Sequence, residues 1–429
     1  MTLQNNFNEK KINASGIDVY TFPSTAHSFF LALYIPAGPL YERESERGYS
    51  HFLEHIIFRN INNLTSGTLY RELDRHGLTF SGTTYNELIQ LSIQGNPKFL
   101  PKAIDILTLA LSPLVITSEE FSSEKERVKR EIREDSYPST VDALCQKTVW
   151  KDTPLSESIT GSVGRISKMS RKSLDAFWHE TVTKRNVFFY LTGAFDASHE
   201  EYLIKKVSKI SLPDGRKREN LAPVSSHFFN RAPEINIKRA DYCKVKISFD
   251  ADLKALKKPV RDILYDMLFG GDSSRMFTEL SEREGYVYSF DANFEEYRDR
   301  GVLSLSFETS AKDFLDAFTL ALSLIKAQPD PEHFEFAKVP YTENFLFVLD
   351  DAEALNWNKV YESRFLGFEY ESLEDRRGAY LDVTFDDVCR GAETIFKKEN
   401  LTVALKHRKT EGLEEKIKSI IEKIFNPKE

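Results

Sequence analysis

The spacing of apolar and polar residues predicts a chain that mixes strands and helices. Short apolar runs from Ser28 to Pro36 and from Val187 to Leu191 are typical of buried strands, and residues 78–95 alternate as two further strands. Helical spacing, capping residues and a glycine stop indicate helices between these strands. The predicted helices are a segment around residues 48–59, Leu69 to Gly77, Ala103 to Leu111, residues 117–135 and Ser170 to His179.

The second half of the chain repeats this plan. Leu69-Tyr-Arg-Glu-Leu is echoed by Met276-Phe-Thr-Glu-Leu, about 207 residues later, and a similar echo links the apolar helix at Ala103 to Ala317. Two strands recur as well, as Lys244 to Phe249 and Leu401 to Leu405. Because each copy mixes strands and helices in the same order, we expect two similar domains rather than one large domain.

The limits of these domains follow from composition. Residues 213–225 are rich in turn-forming and charged residues, which is typical of a linker. We therefore predict an N-terminal domain over residues 1–212, a linker over residues 213–225 and a C-terminal domain over residues 226–429.

Composition and charge narrow the range of partners. The formal net charge of −8 does not favour a nucleic acid or an anionic membrane surface, and the longest apolar run is too short to cross a bilayer. The first residues have neither the apolar core of a signal peptide nor the arginine-rich pattern of a transit peptide. Three widely spaced cysteines, Cys145, Cys243 and Cys389, predict free thiols in a reducing compartment, by default the cytoplasm.

The strongest chemical signal is His51-Phe-Leu-Glu54-His55. Its apolar neighbours predict a largely buried helix, on which residues four apart lie over one another. Two imidazoles suit Zn²⁺, and Glu54 beside them is placed to take a proton from a metal-bound water. This order of residues is the inverzincin signature. The alternative is a solvated helix face with two chance histidines, which the apolar surroundings disfavour because buried polar groups need partners.

A catalytic zinc ion usually has three protein ligands, so a third is expected elsewhere. In the helix over residues 117–135, Phe121, Glu124, Val128, Glu131 and Ile132 fall on one stripe. Two carboxylates are unexpected on an otherwise apolar stripe. Their positions alone leave both glutamates as equal candidates for the ligand, and an ordinary ion pair is an equal alternative for each.

This pattern resembles the M16 zinc peptidases, the family of pitrilysin, insulysin and the mitochondrial processing peptidase, and in particular its short, two-domain bacterial members. His51, Glu54 and His55 are followed after 75 intervening residues by Glu131, with Glu124 seven residues before it. The resemblance implies that His51, His55 and Glu131 bind one zinc ion per chain, that Glu54 is the general base and that Glu124 orients a ligand. Mn²⁺ or Co²⁺ suit the same ligands in vitro.

The resemblance also implies a fold. It is an α+β fold of the M16/LuxS-like metallohydrolase type, in which two homologous α/β-roll domains follow one another. Each domain has a mixed, mainly antiparallel sheet with helices packed on one face.

Two further segments resemble substrate-binding elements of the family. Ser81 and Gly82 lie where the family has Asn-Ala in an edge strand that receives substrate, and pairing through the backbone needs no particular side chain. Arg275 and Tyr288 resemble an Arg/Tyr element that contacts substrate and stabilises the tetrahedral intermediate. Taken alone, Arg275 is better explained as a surface charge at a helix N-terminus and Tyr288 as a core residue.

The hypothesis from the sequence is a zinc-dependent endopeptidase that cleaves peptides or unfolded segments. Chains of this length resemble half of the larger single-chain members, so we expect a homodimer that closes a chamber around the peptide, with Arg275 and Tyr288 supplied by the second subunit. The alternatives are a non-catalytic partner subunit that binds peptide, and the active subunit of a heterodimer, for example in leader-peptide processing. Neither a nucleic acid nor a membrane is expected as a partner.

Overall fold

A computed structural model describes residues 8–217, 233–408 and 410–426. The strands are β1 (Lys10–Ala14), β2 (Ile17–Pro23), β3 (Phe29–Pro36), β4 (Thr79–Thr84), β5 (Leu88–Gly95), β6 (Phe188–Gly193), β7 (Glu234–Arg239), β8 (Cys243–Asp252), β9 (Phe290–Tyr297), β10 (Arg300–Thr309) and β11 (Leu401–His407). The helices are α1 (Tyr49–Leu64), α2 (Leu69–His76), α3 (Leu100–Thr108), α4 (Ser118–Glu134), α5 (Val141–Val149), α6 (Val163–Lys168), α7 (Arg171–Thr181), α8 (Ala197–Val207), α9 (Lys258–Phe269), α10 (Arg275–Phe277), α11 (Phe314–Lys326), α12 (Pro331–Thr342), α13 (Ala352–Val360), α14 (Leu373–Leu381), α15 (Phe385–Ile395) and α16 (Leu413–Phe425).

The strands form two sheets with related topology. The first sheet has the order β1-β2-β6-β3-β5-β4 and the second the order β7-β11-β8-β10-β9. In each sheet one pair is parallel, β2 with β6 and β7 with β11, and the other pairs are antiparallel. From β2 onward the first order matches the second strand for strand, so the duplicated α+β fold expected from the sequence repeat is confirmed.

The chain divides into two compact units that do not follow its halves. Unit 1 contains the described residues of Met1–Asp135, Glu157–Pro223 and Leu346–Ser363, and unit 2 contains those of the remaining segments. Helix α5 from the N-terminal half therefore belongs to unit 2, and α13 from the C-terminal half belongs to unit 1. The sequence repeat gives no sign of this exchange. The domain limits at residues 212 and 226 remain predictions, and residues 218–225 of the predicted linker lie outside the described residues.

In unit 1, strand β3 is buried on both faces. Leu31 and Leu33 join the core formed with α1, α3 and α7, while Tyr34 points to the opposite face. There, the Tyr34 hydroxyl donates to Asn356 Oδ1 of α13 at 2.6 Å, and Asn356 Nδ2 donates to the Tyr190 carbonyl at 3.1 Å. Burial on two faces explains why β3 reads as an unbroken apolar run rather than an alternating one.

Unit 2 has the same plan, but its helix α9 carries no histidine. Helix α9 takes the position of α1, and its Arg261 Nε pairs with Glu296 Oε1 of β9 at 2.6 Å. Helix α5 lies against the second face of the sheet, where Cys145 Sγ lies 3.1 Å from Ser248 Oγ. The three cysteines are free, as expected, and Cys145 and Cys243 are buried. No helix in the described ranges is both long and apolar enough to span a bilayer.

Candidate metal centre and active site

The start of α1 is fixed by a buried carboxylate. Gly48 precedes the helix with a left-handed φ of 91°, and the backbone N–H groups of Gly48 and Ser50 donate to Glu42 at 3.0 and 2.6 Å. Burial raises the pKa of Glu42. These bonds satisfy donors at the helix N-terminus and hold the turn that carries His51. Glu42 was not predicted from the sequence, since no motif marks it.

The two imidazoles of α1 meet one carboxylate of α4. Glu131 Oε1 lies 3.4 Å from His51 Nε2, and Glu131 Oε2 lies 3.4 Å from His55 Nε2. One potential ligand atom from each of the three residues lies within 4.8 Å of the others, and no other such group is found among the described residues. The hydrogen bond with His51 holds the pKa of Glu131 below its usual value, which keeps this carboxylate in the ionised form that metal binding requires.

These three side chains fit a zinc ion. Two imidazoles and one carboxylate are the protein donors of one common type of catalytic zinc site, in which the fourth position is left to water or substrate. The exposed fraction of the Glu131 side chain is 46%, so the group is reachable from solvent. The arrangement therefore has the donors and the access that a catalytic zinc ion requires.

Glu124 occupies a different position from Glu131. Its side chain is 2% exposed, with Oε1 2.9 Å from His55 Nδ1 and Oε2 2.9 Å from Arg59 Nη2. Burial alone would raise the pKa of Glu124, but the hydrogen bonds with His55 and Arg59 hold it below the usual value. A carboxylate on Nδ1 directs Nε2 of the same ring toward a metal. The structure thus separates the two glutamates that sequence position alone left as equal candidates.

Glu54 lies on the side of α1 that faces strand β4. The Thr84 hydroxyl donates to Glu54 Oε2 at 2.6 Å. The strand approaches so closely that a Cβ atom on Gly82 would lie 2.3 Å from the Phe58 ring and 3.1 Å from Glu54 Oε1. A glycine is therefore needed here for the observed packing.

Strand β4 is the edge strand of its sheet. It pairs with β5 on one side, and its other edge has no partner strand in the described part of the chain. Ser81 and Gly82 both lie on this strand. The unpaired backbone groups of an edge strand can accept an added peptide strand, the role predicted for this segment from its sequence.

Arg275 and Tyr288 lie in unit 2 and have separate surroundings. Arg275 begins α10, and its guanidinium contacts Asp330 Oδ2 and the Gln328 carbonyl, both at 3.2 Å. Tyr288 is 96% exposed, so its interpretation as a core residue is wrong. An aromatic side chain so exposed is available to a partner or a substrate.

Two residues near the metal centre were missed from the sequence. Thr84 lies at the end of β4, in the segment that resembles the family's edge strand. Nothing in the sequence indicated that its hydroxyl would contact Glu54. Arg59 lies four residues after His55 on α1, and this spacing places both side chains on one side of the helix. The spacing could therefore have predicted a polar residue near the metal centre.

Comparison with known proteins finds similarity to one family of peptidases. A family model described as Insulinase (Peptidase family M16) matches residues 19–163, and one described as Peptidase M16 inactive domain matches residues 168–339. A protein named an uncharacterized zinc protease from Rickettsia bellii (strain RML369-C) is 24% identical over 412 residues, covering 92% of this chain and 96% of that protein.

Two solved structures share the fold. A putative M16-like peptidase from Alicyclobacillus acidocaldarius superposes with a TM-score of 0.82 at 18% identity, covering 95% of this chain and 100% of that one. The periplasmic protease PqqL from Escherichia coli superposes with a TM-score of 0.80 at 16% identity, covering 100% of this chain but 51% of that one. The fold of this chain therefore corresponds to about half of that longer protein.

Proposed function

The chain belongs to the M16 peptidase family, and from this premise we propose that it is a zinc-dependent endopeptidase that hydrolyses peptides or unfolded segments. The observation that carries the proposal is the meeting of His51, His55 and Glu131, with Glu54 on the same helix. Relatives named zinc proteases support the choice of metal and reaction.

In this proposal His51, His55 and Glu131 hold one Zn²⁺ per chain. When bound there, the ion supplies Lewis-acid chemistry, which lowers the pKa of a water molecule and polarises the scissile carbonyl. Glu124 keeps the ring of His55 in the tautomer that presents Nε2, since its Oε1, 2.9 Å from Nδ1, accepts a hydrogen bond from the Nδ1–H group.

In this proposal Glu54 transfers a proton from the attacking water to the leaving amine. Its Oε2 accepts a hydrogen bond from Thr84, whereas Oε1 has no donor among the described residues and lies beside strand β4. Oε1 is therefore the atom that takes a proton from the attacking water and returns it to the leaving amine. Thr84 keeps the carboxylate at a fixed angle during both transfers.

The substrate adds to the outer edge of β4 as an extended strand. Ser81 and Gly82 contribute backbone N–H and C=O groups, so the contact selects for an extended conformation rather than for one side chain. Because Gly82 has no Cβ, β4 itself lies close to Glu54, and a strand added along β4 is placed beside the same carboxylate. Most segments of a folded protein are already paired or buried, which favours peptides and unfolded segments as substrates.

Arg275 and Tyr288 are proposed to complete the site from a second subunit. The fold of this chain spans 51% of PqqL, so a second copy would supply the other half of a comparable assembly. A guanidinium and a phenol donate hydrogen bonds to a developing oxyanion, and Tyr288 is exposed enough to do so across an interface. We also place the protein in the cytoplasm, on the basis of its three free cysteines.

Cleavage of unstructured peptides by the purified protein tests the function. Mass spectrometry is expected to find internal cuts with the zinc-loaded protein and none after chelation, with activity restored by added Zn²⁺. Cuts that persist after complete removal of metal would exclude the proposed chemistry.

Mixing two inactive variants tests the shared site. A Glu54→Gln chain mixed with an Arg275→Ala, Tyr288→Phe chain is expected to recover about a quarter of the parent rate, since random pairing makes half of the dimers mixed and each has one intact site. A mixture of Glu54→Gln and His55→Ala chains is the control and stays inactive, because both defects lie in the same half of the site. If the first mixture also stays inactive, the site is not shared in this way.

The second candidate function is a peptide-binding subunit that acts only with a different, homologous chain. It is favoured by the match of residues 168–339 to a model described as an inactive domain. An active subunit of a heterodimer, for example in leader-peptide processing, is the related case. Co-purification of a second chain, together with no cleavage by this chain alone, would support these alternatives.

A further inference from the structure

We propose that Arg59 is a positioning residue of the metal centre, which holds Glu124 in place and through it fixes the ring of His55. The inference rests on the proposed zinc site, because the ring it orients is one of the proposed ligands. Arg59 is not among the residues that the sequence motif identified.

The contact pattern is a short chain of hydrogen bonds between two helices. His55 and Arg59 are one turn apart on α1 and point to the same side, where they meet Glu124 of α4. The two oxygens of Glu124 are divided between them, with Oε1 2.9 Å from His55 Nδ1 and Oε2 2.9 Å from Arg59 Nη2. Each oxygen therefore has one defined donor.

Because Glu124 is buried, its second carboxylate oxygen needs the hydrogen bond from Arg59. The Glu124 side chain is 2% exposed, and a buried carboxylate oxygen without a donor is unfavourable. Arg59 is itself 33% exposed, so its bond to Glu124 is partly shielded from water. Since Oε1 is committed to His55, Arg59 is the donor that satisfies Oε2.

A second arginine lies near Glu124 but is not equivalent. Arg127 Nη1 is 3.5 Å from Oε1, and its side chain is 64% exposed. A contact of that length and exposure contributes little to orientation. Arg127 is therefore a suitable matched control, because it has the same charge and the same neighbour but a weaker contact.

The two imidazoles differ in how they are held. His51 Nδ1 is buried and has no hydrogen-bond partner in the described part of the chain, whereas His55 Nδ1 is bound by Glu124. The tautomer and angle of His55 are thus set through Glu124, and the position of Glu124 is set by Arg59. Without Arg59, the carboxylate can turn toward Arg127 and release His55.

Zinc affinity of the full chain tests this inference. Competition with a chromophoric chelator is expected to show 10–100-fold weaker binding for Arg59→Met, the range typical of losing a group that orients a ligand. Arg59→Lys keeps a cationic donor and is expected to stay within about threefold of the parent, and Arg127→Met within about twofold. The Co²⁺-loaded Arg59→Met protein is also expected to show an altered visible absorption spectrum, because the geometry of the ligands changes.

The outcomes separate this inference from the proposed function. Arg59→Met that binds zinc as tightly as the parent overturns the role of Arg59 and leaves the metal site intact. An equal loss of zinc affinity for Arg59→Met and Arg59→Lys overturns the role of Arg59 as well. Lysine restores the cationic donor, so an equal loss would indicate a general packing defect and not a lost hydrogen bond. Far-UV circular dichroism checks folding, and Arg59→Gln replaces Arg59→Met if the latter does not fold. A parent chain that binds no zinc overturns the proposed function together with this inference.

Discussion

Replacing Glu54 with glutamine is expected to slow peptide hydrolysis by about 10²–10⁴-fold while leaving zinc affinity unchanged, the range typical of losing a general acid–base group. Glutamine has nearly the same shape as glutamate, and its amide oxygen can still accept the Thr84 hydroxyl, which lies 2.6 Å from Glu54 Oε2. It cannot take a proton from water at neutral pH. The loss is therefore expected in kcat, measured with a quenched fluorescent peptide under saturating zinc.

The control for this variant is Glu119→Gln, which changes an exposed glutamate in the first turn of α4 and is expected to leave kcat unchanged. A Glu54→Gln protein that retains a tenth or more of the parent kcat would remove Glu54 from its role as the base. If Glu54→Gln also bound zinc more weakly than the parent, Glu54 would be a metal ligand. That result would disagree with the structure, in which Glu54 contacts Thr84.

The second large expected effect is the loss of zinc affinity when Glu131 is replaced. Glu131→Gln is expected to weaken zinc binding by at least 100-fold, because it replaces a charged ligand that faces both imidazoles at 3.4 Å with a neutral amide. Glu124→Gln is expected to cost about 10–100-fold, since it disturbs only the orientation of His55. Glu134→Gln, one turn further along the exposed side of α4, is the matched control and is expected to have no effect.

The order of these affinities distinguishes ligand from orienting group. Competition titrations with a chelator of known affinity give all three values on the same scale. If Glu124→Gln costs more than Glu131→Gln, then Glu124 is the ligand and the geometry described here is not the one that binds metal.

The sequence predicted most of the local structure and the core of the site. The apolar run at β3, the capping box at Thr117 and the glycine stop at Gly77 all correspond to observed element limits, because each depends on neighbouring residues alone. The spacing of His51, Glu54 and His55 also required only the periodicity of one helix. These features could be predicted because local chemistry determines them.

Contacts between distant segments of the chain could not be predicted from local sequence patterns. Glu124 and Glu131 lie two turns apart on one stripe, so spacing could not decide which of them faces Nε2 of the imidazoles and which faces Nδ1 of His55. The bond from Thr84 to Glu54 depends on how β4 crosses α1, and the place of α13 in unit 1 depends on pairing across more than 300 residues, as between Tyr34 and Asn356. Such arrangements arise from tertiary packing, which periodicity does not encode.

The most direct test of the account is the rate of peptide cleavage by the purified, metal-free chain as Zn²⁺ is added, with bound zinc measured in the same samples. We expect the rate to rise in proportion to bound zinc and to level off at one ion per chain, with internal cuts identified by mass spectrometry. Zinc that binds at one ion per chain without any cleavage, in the absence of other proteins, would contradict the assignment of this chain as a self-sufficient endopeptidase.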